Sequence, residues 1–168
     1  MTYIIPDNEL STEAPAIAAR MIAEYPEFSH LKDGEAIIAF LMDTEEEVKA
    51  GKRILGTAHL PEVQGRLRGV FRWMTEQLLG YKPDFIITLD NDYWQSADAT
   101  TRDILVFHEL SHCVHKQDRD GEDRYDEDGR PVFGLVSHDV EEFIATVKRY
   151  GAYSDEIKAF IAAAQDGR

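Results

Sequence analysis

The 168-residue sequence predicts an α+β fold, with a small mixed β-sheet packed against helices. Two apolar runs, EAIIAFLM (35–42) and DFIITLD (84–90), have the length of buried strands and are bounded by turn residues. Longer stretches beside them repeat their apolar residues at helical spacing, and one of these carries a cluster of histidines. Because no repeat or low-complexity linker interrupts the pattern, we expect residues 1–168 to form a single domain.

The net charge limits the classes of partner that the chain can have. A formal charge of −14 repels nucleic acid and anionic membranes, so we expect neither as a partner. The opening MTYIIPDNEL lacks the pattern of a signal peptide, and no apolar run is long enough to span a bilayer. The single Cys113 cannot form an internal disulfide, which suits a reducing compartment. We therefore expect a cytoplasmic protein.

The first third of the chain predicts one helix followed by two strands. STEAPAIAARMIAEYPEF (11–28) places its apolar residues on one helical face and begins with capping residues. The run at 35–42 is too short for a core helix, and KRILGTAHL (52–60) follows after an acidic turn. We predict a strand in each, with Gly56 as a bulge or a point of close approach.

The middle of the chain predicts a helix and the clearest strand in the sequence. GRLRGVFRWMTEQLLG (65–80) has apolar residues at helical spacing and ends at Gly80. DFIITLD (84–90) follows Pro83 and reads as a buried strand. Two tryptophans are predicted to lie in the core, namely Trp73 and Trp94.

The remaining stretches predict two more helices, a loop and a short strand after the histidine-bearing helix. That helix is predicted within 96–116, with Ser96, Asp98 or Thr100 as its N-cap. The segments that follow are a charged loop, a strand or hairpin arm, and two helices, over 118–129, 130–137, 138–151 and 153–164.

HELSHCVH (108–115) predicts a metal site. On a helix His108 and His112 lie one turn apart, so both imidazoles can reach one zinc ion. Glu109 projects beside that point, where a carboxylate can take a proton from water and pass it to a leaving amine. His115 lies two turns from His108, and we interpret it as an exposed helix residue or as a partner of a ligand.

A catalytic zinc site needs a third protein ligand and one open position. Asp118 has the spacing seen in compact zinc proteases, but His115 occupies the position of the turn-forming glycine. His138 begins the next predicted helix, a rigid point from which an imidazole can be directed. We choose His138 and keep Glu142, Glu141 and Asp118 as alternatives, with Asp139, Glu141 or Glu142 as candidates to hold a ligand imidazole by its second nitrogen.

Three segments together, FHELSHC, DEDGRPVFGLVSHDVEEF and KRYG, resemble the family described as putative phage metallopeptidase. The upstream strands fit the same pattern, so the resemblance covers about residues 35 to 150. It implies a zincin-like fold, with His108, Glu109 and His112 as the zinc-protease motif and His138 in the shared HDVEEF segment. The chain is also distantly similar to SprT-like proteases, but it has neither their basic tail nor their four cysteines.

We therefore expect a zinc-dependent metallopeptidase of phage or prophage type, with Zn²⁺ as its cofactor and a peptide or protein as its substrate. The strand RILGTAH (53–59) could hold an extended peptide by main-chain pairing. The alternative is a non-catalytic acidic phage protein that binds a host factor and uses zinc only for structure. A purely structural site has no need of Glu109, which favours the enzyme. The identity of the substrate and the oligomeric state stay open.

Overall fold

The computed structural model describes residues 2–7, 12–63, 65–140, 147–148 and 151–167. The chain forms two compact units, Met1–Val136 and Ser137–Arg168, and the expectation of a single domain stays a prediction. The helices of the first unit are α1 (Glu13–Glu24), α2 (Ser29–Asp33), α3 (Arg68–Leu79), α4 (Asn91–Ser96) and α5 (Ala99–Ser111). Its strands are β1 (Tyr3–Ile4), β2 (Ile38–Asp43), β3 (Glu47–Lys49), β4 (Lys52–Ile54), β5 (Gly56–His59), β6 (Phe85–Asp90), β7 (Cys113–His115) and β8 (Phe133–Leu135).

A four-stranded mixed sheet is the centre of the first unit. Its strand order is β1-β2-β6-β5, with β2 and β6 parallel and the two outer strands antiparallel to their neighbours. Two short hairpins, β3–β4 and β7–β8, lie outside this sheet. The predicted α+β class with a small mixed sheet is therefore confirmed, and β5 is an edge strand.

The two faces of the sheet differ in how well they are covered. Alternate residues of β6, namely Phe85, Ile87 and Leu89, are fully buried in a core shared with α1, α5 and Trp94. Ile86 and Thr88, on the opposite face, are only partly buried. This period of two is what a strand with one well-packed face requires.

Helix α3 matches its predicted position but not its predicted burial. It ends at Gly80, which adopts the left-handed conformation (φ 78°) expected of a C-terminal cap. None of its residues is buried, and the Trp73 side chain is 60 % exposed. The prediction that Trp73 lies in the core is therefore wrong, whereas the prediction for Trp94 is confirmed.

The segment 52–60 forms two strands where the sequence predicted one. Residues 52–54 pair with 47–49 as a separate hairpin, and only Gly56–His59 joins the main sheet. The turn of that hairpin includes Ala50 and Gly51, both with positive φ. Sequence reasoning read the acidic stretch before this turn as irregular, because exposed strands such as β3 lack an apolar alternation.

The second unit contains helix α6 (Asp155–Asp166), which confirms the helix predicted at the end of the chain. The Ser154 hydroxyl accepts a hydrogen bond from the Ile157 amide (3.3 Å) and caps its N-terminus. Most of the helix predicted over 138–151 lies outside the described residues, and Val147 and Lys148 are helical. Residues 138–140 are not helical, so the prediction that His138 begins this helix is wrong. Among the described helices, none is long and apolar enough to cross a membrane.

Candidate metal centre

Helix α5 is set in place by its cap and by its contacts with α1. Of the three predicted N-caps it is Asp98 that acts, with its carboxylate accepting a hydrogen bond from the Thr101 amide (2.7 Å). The buried Arg102 donates to Glu13 of α1 (2.9 Å) and to the Trp94 carbonyl (3.0 Å). These contacts fix the rotation of α5, so that one of its faces turns into the core and the other turns outward.

His108 and His112 lie on the outward side at the C-terminal end of α5. The helix ends at Ser111, and His112 is its C-cap residue with helical backbone angles (φ −74°, ψ −22°). Their ring centroids are 5.0 Å apart, with the planes nearly perpendicular (85°). The one-turn spacing predicted from the sequence therefore brings the two imidazoles together.

The carbonyl of Val136 orients the His112 ring. Nδ1 of His112 lies 2.7 Å from this oxygen, and the Val136 amide donates back to the His112 carbonyl (3.0 Å). A carbonyl oxygen can only accept, so Nδ1 must carry the proton and Nε2 is left with its lone pair. A metal-binding histidine usually has its second nitrogen held in this way.

Glu109 lies on the other side of α5, buried against the edge strand β5. Its carboxyl is so close to Gly56 that a Cβ atom there would lie 2.6 Å from Oε1 and 3.0 Å from Cγ. Gly56 thus serves as the predicted point of close approach. The Ala58 amide hydrogen-bonds to the Glu109 carboxyl. The catalytic candidate is therefore held by the backbone of one strand.

Burial shifts the proton affinity of Glu109. Desolvation raises the pKa of its carboxyl to about 7, although the nearby His112 and the Ala58 amide act in the opposite direction. Oε2 is buried and has no hydrogen-bond partner among the described residues. An unpaired buried oxygen costs free energy, and a proton donor bound next to it would remove that cost. A cation at the neighbouring histidines would lower this pKa.

His108, His112 and His138 form a group that could hold a metal ion. Each offers one nitrogen, and these three atoms lie within 4.8 Å of one another. Asp118, the alternative with protease-like spacing, does not belong to this group. Its Oδ1 instead accepts hydrogen bonds from the amides of Asp120 and Glu122 in a tight turn. The remaining alternatives, Glu141 and Glu142, lie outside the described residues.

His115 does not lie on the helix, so its interpretation as an exposed helix residue is wrong. It lies on β7, which pairs with β8, and its side chain is only 6 % exposed. Nε2 hydrogen-bonds to the Arg124 carbonyl (2.7 Å), and the ring packs on Tyr125 and Phe133. The pairing of β7 with β8 ends the helix before Cys113, which is fully buried. His115 therefore fixes the charged loop that follows.

Sequence reasoning missed the contribution of the Val136 carbonyl. It considered only Asp139, Glu141 or Glu142 for the support of a ligand imidazole, which stays a prediction, whereas a main-chain oxygen supports His112. A carbonyl group is the same in every residue, so no side-chain pattern marks it. The available signal was the predicted hairpin arm at 130–137, which returns the chain to the end of the histidine helix.

Comparison with protein families gives a match over nearly the whole chain. A family model described as "Putative phage metallopeptidase" matches residues 7–165. No match was found among the curated proteins or among the solved structures.

Proposed function

The chain belongs to the putative phage metallopeptidase family, and we propose that it is a zinc-dependent enzyme that hydrolyses peptide bonds. In this proposal His108, His112 and His138 bind the zinc ion, and Glu109 is the general base. The observation that carries the proposal is the pairing of a three-histidine group with a buried carboxyl one residue from its first member. A metal-binding group alone would not require that carboxyl.

The donor set fits zinc. Three neutral imidazoles suit a borderline-soft ion that prefers nitrogen ligands, and three protein ligands leave one position for water or substrate. The Val136 carbonyl supports the fit, because it holds His112 in the tautomer whose Nε2 can bind a metal. When bound, zinc supplies a Lewis acid that polarises the scissile carbonyl and acidifies water.

Glu109 would move the proton. The Ala58 amide and the close backbone of Gly56 hold its carboxyl in one orientation. Oε2, which is buried and has no hydrogen-bond partner among the described residues, would accept a proton from the attacking water once substrate and water occupy the site. The same oxygen would then deliver that proton to the leaving amine. Burial raises the pKa of this carboxyl, and a zinc ion bound at the histidines would lower it again, which favours the carboxylate form that a general base needs.

The edge strand β5 would hold the substrate. Its partner β6 occupies only one side, and Gly56 and Ala58 contact Glu109 directly. An extended peptide that pairs with the outer edge of β5, beside the Ala58 amide that already bonds to Glu109, would pass the general base with its main chain. Main-chain pairing of this kind fits a peptide or protein substrate. It would recognise the extended backbone of the substrate more than any single side chain.

A purely structural zinc is the competing proposal, and two observations count against it. The metal group found among the described residues has three members, whereas a closed structural site has four. The buried carboxyl of Glu109 is also costly, and a structural site would gain nothing from it. The charge of −14 is compatible with either function.

The test is Glu109→Gln in the full chain, with zinc content measured by elemental analysis and cleavage of unfolded casein measured by mass spectrometry. We expect one zinc per chain in both proteins and loss of turnover in the variant. Glu24→Gln, an exposed glutamate on α1, is the matched control and should keep full activity. Undiminished cleavage by the Glu109 variant would disprove the assigned base, and an inactive wild-type protein loaded with zinc would favour the structural role.

A further inference from the structure

A cleft lies beyond the end of β5, between helix α3 and the β7–β8 hairpin. Its volume is about 390 Å³, within the range of about 300–1,000 Å³ typical of ligand sites. Residues 60–62, which follow β5 directly, line it together with residues of α3 and of the hairpin. All of these elements belong to the first unit, so the strand proposed to hold the substrate leads into this cleft.

The cleft is more basic than the chain as a whole. Among the described residues, its charged lining has four basic and three acidic side chains, a net charge of +1 in a chain of −14. These side chains are Arg68, Arg72, Lys82 and Lys116, and Glu62, Asp84 and Asp126. What the cleft can bind therefore depends on which of these groups already have partners.

The three acids already have partners. Glu62 pairs with Arg68 (3.5 Å). The Asp84 carboxylate accepts a hydrogen bond from the Ile37 amide (2.9 Å), and the Asp126 carboxylate accepts two from the amides of its own turn (both 2.9 Å). These hydrogen bonds and this ion pair hold the acids within the protein, so they are not free to neutralise the lysines.

The two lysines of the lining differ from the arginines. Arg72, like Arg68, has an acidic partner, since it pairs with Glu76 (3.2 Å). No described residue forms an ion pair or a hydrogen bond with the ammonium group of Lys82 or Lys116. Two cations without a partner in one cleft favour an anionic ligand.

The fold directs the side chain of Lys116 into the cleft. Its main chain is fixed, because its amide donates to the Val132 carbonyl and its carbonyl accepts from the Arg124 amide (both 2.8 Å). Its alkyl chain crosses Gly134, where a Cβ atom would lie 2.5 Å from Cε and 2.8 Å from Cγ of the lysine. A glycine at this position therefore leaves the path along which Lys116 reaches the lining.

The cleft lies in the direction in which β5 runs past the general base. Gly56 and Ala58, which contact Glu109, precede Pro61 of the lining by five and three residues. An extended chain rises about 3.3 Å per residue, so these separations are at most about 17 and 10 Å. A peptide paired with β5 would therefore reach the cleft three to five residues from the bond beside Glu109.

We propose that this cleft receives the carboxylate of an acidic side chain, Asp or Glu, three to five residues from the bond that the enzyme cleaves. The inference rests on the proposed function and adds a substrate preference to it. A single negative charge matches the net charge of the lining, whereas its three acids disfavour a doubly charged phosphate. The total charge of −14 also disfavours a polyanion such as nucleic acid.

The first test measures binding and does not depend on turnover. The probes are an uncharged twelve-residue peptide of Thr, Ser and Gln with blocked ends and a neutral fluorophore, and two versions with one Glu in place of Gln, near the N-terminus or near the C-terminus. Fluorescence anisotropy gives the Kd of each for the zinc-loaded full chain with Glu109→Gln, which should leave the peptides intact. We expect one Glu peptide to bind about fivefold more tightly than the uncharged peptide, and this difference should shrink as salt is added.

Variants assign the preference to the lysines. Lys82→Met and Lys116→Met in one chain should remove the preference for Glu and leave the Kd of the uncharged peptide unchanged. Lys49→Met, an exposed lysine on β3, is the matched control and should keep the preference. Lys116→Glu should instead favour a peptide with Lys at the same position, a reversal that misfolding cannot produce. Equal Kd values for the Glu and uncharged peptides, no binding of either Glu peptide, or a preference retained by the double variant overturns the proposal.

Cleavage separates this inference from the proposed function. For the casein bond that the wild-type chain cleaves fastest, a blocked peptide with Glu three to five residues from the bond should have a kcat/KM about fivefold above that of its Gln counterpart. Equal values overturn the acidic preference alone. No cleavage by the zinc-loaded wild-type chain counts against the proposed function, and the Kd values then decide the role of the cleft by themselves. A gain seen only with peptides that end there in a free α-carboxylate assigns the cleft to a chain terminus and overturns the side-chain preference.

Discussion

Gly56 and Glu109 are packed so closely that position 56 has no room for a side chain. A Cβ atom at position 56 would lie 2.6 Å from Oε1, 2.9 Å from Cδ and 3.0 Å from Cγ of the glutamate. The contact joins the edge strand of the sheet to the histidine-bearing helix, at the carboxyl proposed as the general base. The glycine is required here for space, because its backbone angles are not those that only glycine adopts.

Gly56→Ala should therefore lower catalysis without removing the metal. The new methyl group must displace the Glu109 carboxyl from its buried position, and a misplacement of about 1 Å costs about 100-fold in rate. We expect kcat for peptide cleavage to fall by about that factor while the zinc content stays at one per chain. Gly69→Ala on α3, where an added Cβ meets nothing within 4 Å, is the matched control. Full activity in the Gly56 variant would show that the contact does not position the base.

His115 should contribute to the stability of the fold and not to zinc binding. It is fixed by the Arg124 carbonyl and packed beneath Tyr125, so His115→Ala should lower the free energy of unfolding by about 1–2 kcal/mol through the lost hydrogen bond and contact. Zinc affinity should not change, in contrast with His112→Ala. Urea unfolding and a zinc titration with a chromogenic chelator measure the two quantities. A loss of zinc in the His115 variant would return this histidine to the candidate ligands.

Features that lie within one helix or strand follow from local sequence patterns, whereas features set by long-range pairing do not. The closeness of His108 and His112 follows from the period of one helix, and the strand at 84–90 follows from its own apolar pattern, so both were predictable. The end of α5 was not predictable, because it depends on the pairing of β7 with β8, and these strands are about twenty residues apart in the sequence. The same pairing delivers the Val136 carbonyl to His112. The exposure of Trp73 was also not predictable, because apolar residues at helical spacing do not show whether another element packs against them.

The ion pair between Asp90 and Arg53 should contribute to stability in a pH-dependent way. Both carboxylate oxygens of Asp90 accept hydrogen bonds from Arg53 at 2.6 Å, and Oδ1 also accepts from the Tyr93 amide (2.9 Å). Burial raises the pKa of Asp90, but these hydrogen bonds outweigh it and leave the pKa below the usual 3.8. A lowered pKa in the folded state means that the stabilisation is present above pH 3.8 and is lost as the pH falls through the folded value.

Asp90→Asn isolates this contribution, because asparagine can still cap α4. Near neutral pH we expect a loss of about 1–2 kcal/mol, modest because the Arg53 side chain is 35 % exposed. The difference from the wild type should narrow as the pH is lowered below 3.8. Urea unfolding of both proteins at neutral and acidic pH measures it. An equal difference at both pH values would show that the loss has a source other than the charge of Asp90.

Replacement of His138, the proposed third ligand, tests the metal centre most directly. Val136 is fixed to His112 by two hydrogen bonds, and two residues of chain span at most about 7 Å, so His138 stays within reach of the first two histidines. Loss of a residue that supports a ligand lowers metal affinity by about 10- to 100-fold. Loss of a ligand itself should lower it further, so His138→Ala should weaken zinc binding by more than about 100-fold. Asp118→Asn, whose carboxylate closes a turn, should bind zinc as the wild type does. Unchanged zinc binding in His138→Ala, with weakened binding in Asp118→Asn, would show that His138 is not the third ligand. Weakened zinc binding in Glu142→Gln alone would assign that position to Glu142.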